Sequence, residues 1–75
     1  MAKTFSGGQV LKVLIKEFGF EPAGQKGSHA KLKKRTLQGD IITIVPLHRE
    51  LAPGTLRGVL QLAQVDYHEF LRRAQ

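Results

Sequence analysis

The chain has no cysteine, no tryptophan, a single tyrosine and a single methionine among its 75 residues. Without cysteine there are no disulfide staples and no thiolate metal sites. Its apolar stretches fall far short of the roughly 20 residues that a membrane helix needs, so no membrane partner is expected. Gly7 and Gly8 interrupt the N-terminus early, which argues against a secretory leader and for a cytoplasmic location. No Asp/Glu pair or His/Asp cluster has metal-ligand spacing, so neither a metal nor a cofactor is expected. Acids are scarce as well: six Asp and Glu stand against twelve Lys and Arg, a formal charge of +6. That surplus favours an anionic partner, and alone it leaves RNA, DNA, an anionic membrane and an acidic protein all open.

What is present is an ordinary hydrophobic content of 41%, too high for a disordered basic tail. Residues 1–75 make one domain, and a chain this short buries only a little over half of its unfolded surface.

Apolar spacing organises the rest. Ser6 is placed to cap a helix over residues 7–18, where Leu11, Leu14, Ile15 and Phe18 fall on one face. Gly19 supplies the left-handed residue that ends it. Phe20–Gln25 reads as a weak strand, with Pro22 suited to an edge. After a Lys26-Gly27 turn, Ser28–Lys34 alternates, Ala30 and Leu32 on one side and His29, Lys31 and Lys33 on the other. Gln38-Gly39-Asp40 is a hairpin turn, and Ile41–Val45, β-branched throughout, is a strand that Pro46 ends. Leu56, Val59, Leu60 and Ala63 define a second helix, capped by Thr55 or opened by Pro53. A short third helix begins at Asp66, with Glu69 as its capping-box partner.

The expected fold is therefore α+β: two helices on one face of a three-stranded antiparallel sheet, followed by a short C-terminal helix. With Ala30, Leu32, Ile42 and Ile44 facing the helices, the open face carries His29, Lys31, Lys33 and Thr43.

That face holds the most informative stretch. Lys26 to Arg35 contains five of the twelve basic residues, and no acid intervenes between Glu21 and Asp40. Ammonium groups hold a phosphodiester backbone by neutralising it and releasing counterions. Imidazole has the unperturbed pKa best suited to proton transfer near neutrality. A histidine inside a basic strip points to a protein that grips nucleic acid and cuts it.

Ser6-Gly7, Gly19-Phe20, Gln25-Lys26-Gly27-Ser28-His29, Val45-Pro46 with His48, and Glu50-Leu51 with Pro53-Gly54-Thr55-Leu56-Arg57 together resemble the HicA toxins, the small nuclease partners of HicB antitoxins. The resemblance runs from about Ser6 to Phe70. Gly-Ser-His and Pro-Gly-Thr-Leu-Arg, in this order, carry most of its specificity. It implies a double-stranded-RNA-binding-domain-like α-β-β-β-α fold and a ribosome-independent toxin that cleaves mRNA, silenced by a HicB-like antitoxin. It also implies that His29 is the catalytic residue. The chain departs from the family at Pro22, which breaks up the first strand, at Gln64, where a glycine is usual, and at Lys31, often apolar or aromatic.

RNA brings its own nucleophile, the 2′-hydroxyl, so its cleavage needs only a base, an acid and cations. His29 is the candidate for proton transfer. Lys26, Lys31 and Lys33 are candidates to hold phosphates, with the Gly27 and Ser28 amides as further donors. His48 is a possible second acid or base, or a plain loop histidine; Arg57 is a possible RNA contact or a surface charge. Two other functions fit the same composition: a non-catalytic double-stranded RNA-binding module, and a basic ribonucleoprotein component. Oligomeric state and RNA sequence preference are not legible.

Overall fold

The computed structural model describes residues 4–75; residues 1–3, where the leader reading begins, lie outside them. The first helix, α1, spans Gly7–Phe18. Its N-terminus is a complete capping box: Ser6 Oγ accepts from the Gln9 amide at 3.1 Å, and Gln9 Oε1 accepts from the Ser6 amide at 2.8 Å. Two otherwise unpaired amides are thereby satisfied. Gly19, at φ 78°, closes the other end in the left-handed conformation.

Three strands follow, β1 (Glu21–Lys26), β2 (His29–Thr36) and β3 (Gly39–Pro46), antiparallel in the order β1-β2-β3. Next come α2 (Pro53–Ala63) and α3 (Tyr67–Arg73). The α-β-β-β-α order and the α+β class expected from the pattern are those observed. Among the described residues, no helix is long and apolar enough to cross a membrane.

One core fills the space between sheet and helices. Val10 and Leu14 of α1, Leu32 of β2, Val45 of β3, and Leu56, Val59, Leu60 and Ala63 of α2 all lie in it. Phe70 of α3 completes it, edge-on to Phe5 and stacked with Phe18. Fully burying Leu14, Leu32 or Leu60 stabilises the fold by roughly 1.5–3 kcal/mol each.

Several local expectations need correction. The turn between β1 and β2 is Gly27-Ser28, so Lys26 closes β1 and β2 begins at His29 rather than Ser28. Thr55 does not cap α2: Ala52 occupies the N-cap without a side-chain bond, and Pro53 opens the helix. Proline suits that place because its missing N–H would be unpaired there anyway. At α3 only half of the expected box forms. Asp66 accepts from the Glu69 amide, while the Glu69 carboxylate turns to Arg72 and Arg73.

The largest correction concerns β3. Thr43 is fully buried against α2, whereas Ile42 and Ile44 are 42% and 38% exposed. The loop from β2 to β3 has two residues, Leu37 and Gln38, and pairs Thr36 with Gly39. A three-residue turn at Gln38-Gly39-Asp40 would have put Ile42 and Ile44 inside. One residue fewer exchanges the two faces of the whole strand.

Candidate functional site

Cross-strand pairs share a face, so the registers define the outer surface of the sheet row by row. The row at the β1–β2 turn is Lys26, His29 and Pro46; the next is Gly24, Lys31 and Ile44; the third is Glu21, Lys33 and Ile42. A register shift between Pro22 and Gly24 puts one extra residue into β1. Lys26 shares the face of His29 because the turn between them has two residues; the bulge puts Glu21 opposite Lys33, where Pro22 would otherwise stand. Such a bulge is tolerated on an edge strand, where Pro22 also fits.

His29 is exposed at the head of β2, directly after a two-residue turn. Gly27 has φ 59°, the positive value that tight hairpin turns demand at their first central position. The Gln25 side-chain amide donates to the Gly27 carbonyl at 3.1 Å and braces the turn. Lys26 and Lys31 are exposed beside the imidazole, and Ser28 is exposed as well. Lys33 is half-buried, flanked by Glu21 on one side and Ile42 on the other.

Acids enter this face only away from His29, Glu21 opposite Lys33 and Asp40 opposite Arg35, and none stands in the rows of His29 and Lys31. The ion pairs among the described residues join Glu69 to Arg72 and Arg73, and Arg73 to Glu17. The positive charge of Lys26 and Lys31 is thus left to an external anion. Among these residues no three His, Cys, Asp or Glu side chains gather as a metal site would require.

The remaining candidates divide. His48 lies two residues beyond Pro46, the partner of His29. Arg57 sits on α2 with its guanidinium 4.0 Å from the Tyr67 ring centroid, so its charge is already engaged in a cation–π contact. Lys34 belongs to the inner face and reaches over the Phe20 ring at 5.9 Å. His68 is exposed on α3, with its ring edge-on to Tyr67. A shallow hollow of about 350 Å³ is lined by Thr36, Asp40, Ile41 and Gln64. It lies at the far end of the β2–β3 hairpin, roughly 23 Å along the strand from His29, and takes no part in the site.

Pattern reading missed one component. Ile42, Ile44 and Pro46 form an apolar column beside the lysines, hidden as long as the faces of β3 were exchanged. The signal that reveals it is the length of the Leu37-Gln38 loop.

Fold and charge together define a small basic α+β protein with one strongly cationic sheet face. The family model for the HicA toxin of bacterial toxin–antitoxin systems matches residues 7–65. That span runs from the first residue of α1 past the end of α2, so the chain belongs to the HicA toxin family. It is a toxin of the toxin–antitoxin class, and such a toxin has an antitoxin partner. No curated protein matches the chain.

Proposed function

We propose that this toxin is a metal-independent endoribonuclease that cleaves mRNA, with His29 transferring a proton at the scissile phosphate. The supporting observation is an exposed imidazole in a row with Lys26 and next to the row of Lys31, neither row containing an acid.

Cleavage proceeds by attack of the ribose 2′-oxygen on the adjacent phosphorus. The bond to the 5′-oxygen breaks, leaving a 2′,3′-cyclic phosphate and a free 5′-hydroxyl. Lys26 and Lys31 stabilise the charge gathered on the phosphorane, and Lys33 holds a flanking phosphate. The amides of Gly27 and Ser28 are further donors at the turn. One positioned proton-transfer group contributes about 10²–10⁴ in rate.

The partner in this reading is a HicB-like antitoxin laid over the same face. Acidic side chains on it would meet the lysines, and apolar ones the column of Ile42, Ile44 and Pro46. Inhibition is then competitive with RNA. A structure of the pair that leaves this face open would contradict the assignment.

The test is incubation of purified wild type and His29→Ala with a defined RNA in EDTA. Wild type should cleave RNA and leave the matching DNA intact, since DNA lacks the 2′-hydroxyl. The variant should lose cleavage while keeping most of its RNA affinity. Cleavage of DNA, or undiminished RNA cleavage by the variant, overturns the proposal.

A further inference from the structure

The Leu47 amide donates to the Ser28 carbonyl at 2.6 Å, which extends the β2–β3 ladder one rung beyond Pro46. Hydrogen-bonded and open pairs alternate along an antiparallel ladder. Ser28 and Leu47 form a bonded pair, so His29 and Pro46 are the open one beside it. Proline loses nothing at an open pair, because no N–H is called for there. β3 ends at Pro46, but the Leu47 bond carries its pairing one residue further; Val45 is buried, Leu47 half-buried and His48 exposed, the order that one more step of the strand would give. His48 is therefore a diagonal neighbour of His29 on the same face, at a spacing of roughly 7–8 Å between Cα atoms.

The far side of this segment is also held. The Gly7 amide donates to the His48 carbonyl at 2.8 Å, and the Leu51 amide donates to the Phe5 carbonyl at 2.8 Å. Gly7 packs so closely that a Cβ there would fall 2.0 Å from the Pro46 carbonyl oxygen. The residue after β3 is thus pinned between the turn before His29 and the first turn of α1. A histidine on an unanchored loop would lack both restraints.

We propose that His48 is a second catalytic residue, paired with His29 across the scissile phosphate; this rests on the ribonuclease reading above. One imidazole takes the proton of the attacking 2′-hydroxyl. The other gives its proton to the departing 5′-oxygen, so one proton is taken up, one is released, and no co-reactant is needed. Two groups on one face are required because the attacking and leaving oxygens stand on opposite sides of the phosphorus. Lys26 of β1 and Lys31 of β2 are the charged groups of this face nearest the pair, with Lys33 and Glu21, then Arg35 and Asp40, in the rows beyond; Arg49 and Glu50 follow His48 in the chain.

The experiment compares wild type, His29→Ala, His48→Ala and His48→Gln on two RNAs. One is ordinary; in the other, sulfur replaces the leaving 5′-oxygen, and sulfur departs without a proton. On ordinary RNA each histidine variant should lose about 10²–10⁴ in kcat. On the sulfur substrate one position should regain most of the loss and the other should not, which separates acid from base. A misfolded variant regains nothing on either, and circular dichroism identifies it; His48→Gln supplies a second chance of a folded protein. His48 variants that stay within a few-fold of wild type while His29→Ala is inactive overturn the pairing and leave the ribonuclease reading standing. A folded His48 variant whose loss the sulfur substrate treats as it treats the His29→Ala loss also overturns it. A wild type that cleaves neither RNA removes the ribonuclease reading itself.

Discussion

Thr43 Oγ1 donates a 2.8 Å hydrogen bond to the Val59 carbonyl, joining the middle of β3 to the middle of α2. Thr43 is the buried polar residue of an otherwise apolar core, and no buried side-chain polar atom among the described residues lacks a partner. Thr43→Val keeps the shape and removes the bond. It should cost about 0.5–1.5 kcal/mol, since the Val59 carbonyl retains its place in the helix ladder. Thr43→Ala also opens a cavity and should cost more. Urea unfolding midpoints rank the two; a Thr43→Val protein at least as stable as wild type would show that the bond contributes nothing.

Adjacent glycines in the first turn of α1 should respond in opposite directions. At Gly7 a Cβ would fall 2.0 Å from the Pro46 oxygen and 2.7 Å from the Leu47 Cα, whereas at Gly8 the nearest atom is 3.9 Å away. Gly7→Ala forces the backbone apart and should destabilise by about 1–3 kcal/mol. Gly8→Ala should stabilise by roughly 0.5–1 kcal/mol by reducing the freedom of the unfolded chain. Equal effects in denaturant titrations would contradict the close packing at Gly7.

Gln64 adopts φ 57° after α2, the left-handed conformation that glycine takes most readily. A left-handed residue with a side chain costs roughly 1–2 kcal/mol. Gln64→Gly removes that strain and regains some unfolded-state freedom, so a net gain of up to about 1 kcal/mol is expected. The thermal midpoint should rise by roughly 4–8 °C if the full gain appears.

Hydrogen bonds from Arg73 and then Arg72 hold the Glu69 carboxyl below its ordinary value of 4.5. A depressed carboxyl stabilises the fold above its unfolded value, and that contribution is lost as pH falls through the folded value. The thermal-midpoint difference between wild type and Glu69→Gln should be constant from neutral pH down to about 4.5 and shrink below it. The effect should be small, because the group is solvent-screened. A difference that grows on acidification would reverse the sign.

RNA affinity should fall with salt. If Lys26, Lys31, Lys33 and one further cation neutralise three or four phosphates, the log–log slope is about −2 to −3 for a single strand. Lys31→Ala should shallow it by roughly 0.7. A flat response in filter binding or fluorescence anisotropy would argue that contact is not made through the backbone.

Local chemistry made much of this protein legible from its residues alone. Ser6 and Gly19 bracket the first helix because capping and the left-handed terminus are decided within a few residues. Ala30 and Leu32 alternate with His29 and Lys31, and that parity fixes which side of β2 meets the core. Position within β3 was another matter. Ile42 and Ile44 look more like core than Thr43 does, yet a two-residue loop turned them outward, and the Val59 carbonyl received the threonine instead. The β1 bulge that sets Glu21 opposite Lys33, and the Gly7 contact that anchors His48, likewise join residues far apart in the chain. Hydrophobicity and spacing determine what each segment can be. Register and close packing, which depend on partners elsewhere in the fold, decided which side chains share a face.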